Sequence, residues 1–100
     1  MFIAIVDFST AAADRPAAMA QLEGERDVVR AMPGCKGFRV FASPERDTDI
    51  TVLHEWDDEL SFRAYAASEA FNRSGLVLRP LMSAAPTSRR FHAELAETVA

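Results

Sequence analysis

The sequence predicts an α+β fold whose strands and helices follow one another in the order β-α-β-β-α-β. Phe2 to Phe8 is rich in Ile, Val and Phe and is apolar on both parities, which is typical of a strand that is covered on both faces. The turn formers of "SPERDTD" separate two further stretches of strand-like alternation. Two stretches with apolar residues at helical spacing stand between the strands, one after the first strand and one after the third.

The first helix and the strand after it are bounded by capping and breaking residues. Asp14 is the predicted N-cap, with Pro16 in the first turn, and Pro33-Gly34 ends the helix. Cys35 to Ser43 then alternates as a strand. The apolar positions of this first helix are Met19, Leu22, Val29 and Met32.

The strand "ITVLHEW" and the helix after it belong to the second half of the chain. Asp57 or Asp58 is the predicted N-cap of this helix, because acidic residues suit the positive end of a helix dipole. "GLVLRPLM" is predicted to form a short helical turn broken at Pro80, and the last strand to run from Ser88 to Leu95. One face of the strand carries Ile50, Val52, His54 and Trp56. The predicted sheet-facing stripe of the helix is Leu60, Ala64, Ala67 and Phe71.

Two such split units fold as a four-stranded antiparallel sheet with both helices on one face, the ferredoxin-like arrangement. The chain of 100 residues has no room for a second unit, so residues 1–100 are predicted to form a single domain. The helices would leave the other face of the sheet open, although the first three strands carry apolar residues there. We therefore expect a homodimer whose sheets pack face to face.

Composition and charge limit the classes of partner that the protein can bind. Eleven basic residues are outnumbered by fifteen acidic ones, for a net charge of −4, which argues against nucleic acid as a partner. The single cysteine, Cys35, excludes an intrachain disulfide and fits a reducing compartment. No basic residue precedes the N-terminal apolar run, and Asp7 interrupts it, so neither a signal peptide nor a membrane span is expected. The sequence predicts a cytoplasmic protein that binds no membrane.

Two stretches resemble the antibiotic biosynthesis monooxygenase (ABM) family, whose members form a dimeric α+β barrel. "PGCKGFRVFASPERDTDITVLHEWDD", Pro33 to Asp58, is similar to the family's helix-ending Pro-Gly, its strand with an aromatic before a valine, its acidic turn and its strand ending in Glu-Trp. "YAASEAF", Tyr65 to Phe71, resembles a helix segment in which many members carry His, then Ser, then an aromatic. The resemblance covers nearly the whole chain, and it implies a pocket between the sheet and the second helix, open at one end.

The chemistry that the resemblance implies is varied. Some members oxidise polyketide-like phenols to quinones with molecular oxygen and with no metal or flavin, while others degrade haem or isomerise small metabolites. The resemblance thus implies a cofactor-independent monooxygenase acting on a small aromatic phenol or hydroquinone. A non-catalytic ligand-binding or accessory homodimer, and an isomerase of a small carbonyl metabolite, stay open as alternatives, because a fold does not determine a reaction.

The candidate site residues follow from what this chemistry needs, a substrate anion shielded from water. His54 is the candidate base, since an imidazole titrates near neutral pH; the alternatives are a strand histidine bonded to a neighbour or one that faces the dimer barrel. Trp56 is expected to stack on the substrate or to seal the sheet against the helix. Tyr65 is expected to hold a substrate oxygen, unless its tip lies in water. Phe62 and Phe71 are the remaining candidate substrate contacts.

Further polar residues are weaker candidates. Asp7 is a candidate substrate contact if it shares a cavity with the histidine, but a carboxylate at a strand end is usually solvated. In haem-degrading members a helix histidine binds the iron, and Tyr65 stands in its place here, which disfavours haem. His92, with Arg89 and Arg90 beside it, is interpreted as a surface residue; the alternatives are a contact with an anionic ligand or with acids across the dimer. The two histidines and one cysteine show no metal-ligand spacing, so neither a metal nor a cofactor is expected.

Overall fold

Four antiparallel strands form the sheet in the computed structural model, which describes all 100 residues. The strands are β1 (Phe2–Ser9), β2 (Cys35–Ala42), β3 (Asp49–Trp56) and β4 (Thr87–His92), in the spatial order β2-β3-β1-β4. The helices are α1 (Arg15–Arg30), α2 (Glu59–Ala66) and α3 (Glu69–Leu78), with 3₁₀ turns at Ala12–Asp14 and Arg79–Leu81. The predicted α+β, ferredoxin-like arrangement is confirmed. None of the helices is both long enough and apolar enough to cross a membrane.

The strand register decides which side chains meet beneath the helices. Ala4 of β1 lies opposite His54 of β3, and Phe38 of β2 lies opposite the same histidine. Because side chains alternate along a strand, these three residues share the face of the sheet that the helices cover. The hydrophobic core lies between this face and the helices, and α1 contributes Ala18, Leu22 and Val29 to it.

The helix α1 begins at Arg15, directly after the predicted N-cap Asp14, with Pro16 in its first turn. The side chain of Asp14 makes no capping hydrogen bond, however, and the residue belongs to the preceding 3₁₀ turn. The guanidinium of Arg15 donates to the carbonyl oxygens of Ser43 at 3.0 Å, Arg46 at 2.7 Å and Asp49 at 3.3 Å. This side chain therefore holds the loop between β2 and β3 against the beginning of the helix.

The predicted second helix is two helices, each with its own cap. The carboxylate of Asp58 accepts a hydrogen bond from the Ser61 N–H at 2.8 Å, as the cap of α2, and the hydroxyl of Ser68 accepts from the Phe71 N–H at 3.2 Å, as the cap of α3. The predicted sheet-facing stripe was wrong, since Leu60 is 80% exposed. Phe62 and Tyr65 face the sheet instead, because aromatic side chains bury more apolar area than leucine and alanine.

A glycine fixes the approach of α2 to the end of α1. Gly34 has a φ of 81°, in the left-handed region that favours glycine, and a Cβ there would collide with the side chain of Ser61. Its carbonyl oxygen accepts a hydrogen bond from the Asp57 N–H at 2.7 Å. The turn before β2 and the first turn of α2 are thereby held together, next to the end of β3.

The opposite face of the sheet has no helix over it. It carries Ile3, Ile5, Phe41, Leu53 and Phe91, of which the two phenylalanines are exposed and the others half-buried. The final strand, β4, ends at His92 rather than at the predicted Leu95, and residues 93–100 follow without regular secondary structure. This open face is the one that the sequence analysis predicts to pack against the sheet of a second copy of the chain.

Candidate functional site

A cavity of about 240 Å³ lies between the helix-covered face of the sheet and the helices α2 and α3. Its walls are largely apolar, and the aromatic part consists of Phe8, Phe38, Phe62, Tyr65 and Phe71. The polar side chains that line it are His54, Ser74, Arg79, Ser88 and Arg90. A wider depression of about 470 Å³ lies between the end of α1 and α2, but Tyr65 is the only titratable residue that lines it. The smaller cavity, which contains the histidine, is therefore the candidate site.

His54 lies among the rings of the cavity wall. It is 3% exposed, and its ring centroid is 5.7 Å from that of Phe62, 5.8 Å from that of Phe38 and 5.5 Å from that of Tyr65. The β3 register points it toward the helices, so the imidazole is on the same side of the sheet as the core. The sequence prediction left this orientation open, and the structure resolves it in favour of the cavity.

Trp56 lies behind the cavity wall. It is completely buried and does not line the cavity, because the ring of Tyr65 stacks on it at 5.2 Å between centroids, with 26° between the planes. Its indole Nε1–H donates a hydrogen bond to Nδ1 of His54 at 2.8 Å. The interpretation of Trp56 as a residue that stacks on the substrate is corrected accordingly: the tryptophan contacts the histidine.

The Trp56 hydrogen bond determines the protonation of His54. An indole N–H can only donate, so Nδ1 of the imidazole is the acceptor and carries no proton. In the neutral ring the proton is then on Nε2. Burial, followed by the positive charge of Arg90, lowers the pKa of His54 from 6.5 to about 4, so the ring is neutral at pH 7. His54 is consequently a hydrogen-bond donor through Nε2.

The Nε2–H of His54 has no acceptor within the chain. Every completely buried side-chain nitrogen or oxygen atom has a hydrogen-bond partner, and His54 uses only Nδ1. Nε2 is therefore accessible, and the residue borders the cavity. The arrangement suits an oxygen atom of a bound molecule, which would accept this hydrogen bond in a site of low polarity.

Tyr65 contributes a second polar ring to the same wall, beside the imidazole of His54. Burial, and then the negative charges of Glu25 and Cys35, raise the pKa of Tyr65, so its hydroxyl stays protonated. The hydroxyl has no hydrogen-bond partner within the chain. The ring borders both the cavity and the wider depression beside α1. Phe71, which is 39% exposed, packs edge-on against Tyr65 at 5.3 Å and lines the cavity together with Phe62.

Asp7 lies on the opposite face of the sheet. It is paired in register with Thr51, whose hydroxyl donates to its carboxylate at 2.6 Å, and Arg89 donates to it at 3.4 Å. Asp7 has the opposite parity to Ala4 and Val6, whose side chains face the helices. The structure therefore does not bring Asp7 to the cavity, and its interpretation as a substrate contact is corrected.

Two arginines line the cavity, although neither was a candidate substrate contact, and Arg90 was named only as a neighbour of His92. Arg90 lies opposite Ala4 in the register, on the face that also carries His54, and its guanidinium is 4.8 Å from the centroid of the Phe62 ring. The alternation of side chains along β4, together with its pairing to β1, would have indicated that Arg90 lies on the helix-covered face. Arg79 begins the 3₁₀ turn after α3, and no sequence pattern indicated it, because the break between α2 and α3 was not predicted.

The donor atoms of the chain form no metal-binding cluster, since no three His, Cys, Asp or Glu side chains converge. Burial raises the pKa of the half-buried Cys35 thiol, so this residue is a weak nucleophile. The side chains at the cavity are instead suited to a small organic molecule with a planar ring, which the aromatic walls would contact and the His54 N–H would orient.

Comparison with known proteins agrees with the fold and identifies the family. No functionally curated protein matches the sequence. A solved structure from Deinococcus radiodurans, named for the ABM family, superposes with a TM-score of 0.91 at 16% identity over 100% of this chain and 99% of that chain. One from Nitrosomonas europaea, also named for the family, gives 0.88 at 13% identity over 93% and 98%.

A conserved protein from Methanosarcina mazei gives a TM-score of 0.86 at 18% identity over 94% of both chains. At such identities the likeness to these structures shows the fold. The sequence itself matches the family described as antibiotic biosynthesis monooxygenase over residues 1–74, which is most of its length. The predicted resemblance is thereby confirmed: the chain belongs to the antibiotic biosynthesis monooxygenase family.

Proposed function

We propose that the protein is a cofactor-independent monooxygenase that oxidises a small phenol or hydroquinone with molecular oxygen. The observation that carries the proposal is the Nε2–H of His54, buried among aromatic rings and without an acceptor in the chain. Membership of the family supports a monooxygenase. The aromatic walls support a planar substrate, because ring-to-ring contacts are favoured in such pockets.

The reaction begins with ionisation of the phenol. Oxygen reacts with the electron-rich anion, so the site has to favour the charged form of the substrate. A hydrogen bond from Nε2–H of His54 to the substrate oxygen stabilises that form and lowers the pKa of the phenol. Water is the acceptor of the phenol proton, because no Asp or Glu lines the cavity.

The substrate itself supplies the electrons. In an anthrone-like phenol, two C–H bonds at one carbon are broken and one C=O bond is formed, which releases four electrons. Those four electrons reduce one molecule of oxygen, of which one atom enters the substrate and the other leaves as water. The atoms and electrons balance without an external reductant.

This proposal changes the role expected of His54. A general base needs a free lone pair and a pKa near the working pH, whereas Nδ1 of His54 is occupied by Trp56 and its pKa is about 4. We assign His54 the role of a donor that stabilises the substrate anion. Trp56 is a positioning residue, because it fixes the tautomer that makes His54 a donor. Tyr65, whose hydroxyl stays protonated, is the second donor in the proposed site.

The walls have a role of their own. Phe38, Phe62 and Phe71 keep water from the ring of the bound substrate. Exclusion of water strengthens the hydrogen bond from His54, since the local dielectric constant is lower than in bulk water. It also shields the reactive anion and its oxygen adduct from side reactions.

We also propose that two copies of the chain associate through the open face of the sheet. Phe41 and Phe91 are large exposed apolar side chains on that face, and Ile3, Ile5 and Leu53 lie between them. A chain of this size buries only a modest share of its surface alone, so covering this patch adds to its stability. The substrate would enter each subunit from the side away from the dimer interface.

The alternative function is a non-catalytic dimer that binds a phenolic ligand. It is favoured by one specific observation, that no Asp or Glu lines the cavity to take the proton of the substrate. The same cavity and the same hydrogen bond from His54 would then hold a ligand without oxidising it.

Oxygen uptake separates the two functions. An oxygen electrode would follow anthrone and naphthohydroquinone with the wild type and with His54→Ala, and His92→Gln would be the control, an exposed histidine outside the cavity. We expect wild-type uptake, a loss of about a hundredfold in kcat for His54→Ala, as for removal of an oxyanion donor, and no change for the control. Equal uptake by wild type and His54→Ala would remove His54 from the mechanism. No uptake with any substrate, together with tight binding, would favour the ligand-binding dimer.

A further inference from the structure

We infer that the natural ligand is an aromatic acid, whose carboxylate is held by Arg79 and Arg90 at the mouth of the cavity while its ring lies among the phenylalanines. This inference rests on the proposed function, since it names the substrate class of the same cavity. The charge of the lining, the unpaired guanidinium groups of the two arginines and the volume of the cavity support it.

The lining is basic although the protein is acidic. Arg79 and Arg90 line the cavity, and no Asp or Glu does, in a chain with a net charge of −4. His54 is neutral, so the lining carries two positive charges that no acid of the lining offsets. Such a local surplus attracts an anion, because charges at the rim of an apolar cavity are less screened than charges on an open surface.

Neither arginine is used in an ion pair. The ion pairs of the chain involve Lys36, Arg63, Arg73, Arg89 and His92. Both Arg79 and Arg90 are exposed, so their guanidinium groups are accessible from solvent. Two unpaired guanidinium groups at one opening are a recognition element for a carboxylate, which each can bind through two parallel hydrogen bonds.

The guanidinium of Arg90 is oriented to bind a carboxylate. Its guanidinium lies over the ring of Phe62, 4.8 Å from the centroid, and only its Nε is bonded within the chain, to the hydroxyl of Ser88 at 3.3 Å. The terminal nitrogens therefore keep their protons free for a ligand. The contact with Phe62 fixes the plane of the group, which lowers the entropy cost of binding.

Arg79 approaches from the other wall. Arg90 is on β4, whereas Arg79 follows α3, so the two come from the sheet and from the helices. A Cβ built on Gly75 would contact the Arg79 guanidinium at 3.6 Å, and Gly75 itself lines the cavity. The guanidinium is thus packed beside the opening.

The volume limits the rest of the ligand. About 240 Å³ is small for a ligand pocket, where roughly 300–1,000 Å³ is usual. One or two rings fit such a space. A hydroxyl that reaches His54 and a carboxylate that reaches the arginines have to be at opposite ends of the ring system.

A pair of ligands that differ in charge tests the inference. Calorimetry would measure binding of para-hydroxybenzoate and of the neutral para-hydroxybenzamide to wild type, Arg79→Gln, Arg90→Gln and Arg90→Lys, with Arg46→Gln as the control. Arg46 is an exposed arginine of the β2–β3 loop whose side chain does not line the cavity, so its substitution makes the same change in net charge. We expect wild type to bind the acid at least about tenfold more tightly than the amide, and each Gln variant to lose about tenfold for the acid alone.

The outcomes separate this inference from the proposed function. Equal binding of acid and amide by the wild type, unchanged in the arginine variants, overturns the inference and leaves the phenol site standing. Binding of neither ligand by the wild type overturns both. Circular dichroism would check folding, since Arg90→Gln removes the contact with Phe62, and Arg90→Lys retains the charge. If Arg90→Gln does not fold, the inference is tested by Arg79→Gln and by the salt dependence of binding to the wild type. We expect added NaCl to weaken binding of the acid but not of the amide.

Discussion

The Nε1–H of Trp56 donates to Nδ1 of His54 at 2.8 Å, from two positions apart on the same face of β3. This contact joins the one tryptophan of the chain to the one histidine of the cavity. Histidine usually exchanges protons near neutral pH, but this hydrogen bond makes His54 a permanent hydrogen-bond donor through Nε2.

Replacing Trp56 by phenylalanine should release the tautomer of His54. Without the indole N–H, Nδ1 loses its partner, and an unpaired buried polar atom costs roughly 1–3 kcal/mol of stability. Nitrogen NMR of labelled histidine should show a single Nε2–H tautomer in the wild type and a mixture in the variant. A single Nδ1–H tautomer in the wild type would contradict the assigned hydrogen bond and the donor role with it.

Stability should fall on acidification because of His54. Its pKa is about 4 in the folded protein and about 6.5 when unfolded, so between these values the unfolded chain binds a proton that the folded chain does not. The contribution is complete above about pH 6.5 and is lost as the pH falls toward 4, for roughly 3 kcal/mol. Arg90 from β4 opposes protonation, and the Tyr65 hydroxyl from α2 is uncharged throughout this range.

Urea unfolding at several pH values would measure this slope, with His54→Gln as the matched variant. The glutamine amide oxygen can still accept from Trp56 but does not titrate. Wild type should lose more stability than the variant between pH 6.5 and pH 4. Parallel curves for the two proteins would mean that His54 keeps an ordinary pKa in the fold.

Replacing Gly34 and Gly24 by alanine should change the stability of the protein in opposite directions. Gly34→Ala places a Cβ in a left-handed backbone conformation and against Ser61, so we expect a loss of about 1–3 kcal/mol. Gly24 is inside α1 with nothing within 4 Å of a Cβ, so Gly24→Ala should stabilise by about 0.5–1 kcal/mol. Chemical denaturation of both variants gives the comparison. A neutral Gly34→Ala would show that the turn before β2 can shift without cost.

The open sheet face should control association. Light scattering after gel filtration should give the mass of two chains for the wild type, and Phe41→Asp should shift it toward one chain, because a buried unpaired carboxylate is costly. Leu60→Asp is the control, since Leu60 is more exposed than Phe41 and lies on α2, away from that face. A single-chain mass for the wild type at micromolar concentration would defeat the proposed homodimer.

The sequence was sufficient to predict the fold and the faces of its strands. Alternation in "ITVLHEW" predicted the shared face of His54 and Trp56, because a period of two admits no other arrangement in a strand. The cap of α2 was predicted at Asp57 or Asp58 from residue type and position, and the structure shows it at Asp58. The four-stranded antiparallel sheet followed from the order of elements along the chain.

The details of the site needed the structure. Which face of a short helix is buried depends on competition among side chains, and Phe62 prevailed over Leu60 because a ring buries more area. The direction of a hydrogen bond between neighbours is not encoded in a periodic pattern, so the contact that makes His54 a donor could not be foreseen. Arg90 was interpreted as part of the surface, because a charged residue on an edge strand is usually solvated.

The three hydrogen bonds from Arg15 have a consequence for how this protein tolerates substitutions. All three acceptors are backbone carbonyl groups, which every amino acid supplies, so these three bonds do not depend on the side chains of the β2–β3 loop. The side chain that the loop does use is Ser43, whose hydroxyl accepts from the N–H groups of Glu45 and Arg46. Glu45, Arg46 and Asp47 are exposed, and their side chains make no hydrogen bond. This loop is therefore a place where the sequence can drift, or an affinity tag or fluorophore can be attached, while the two strands that carry Phe38 and His54 stay in register.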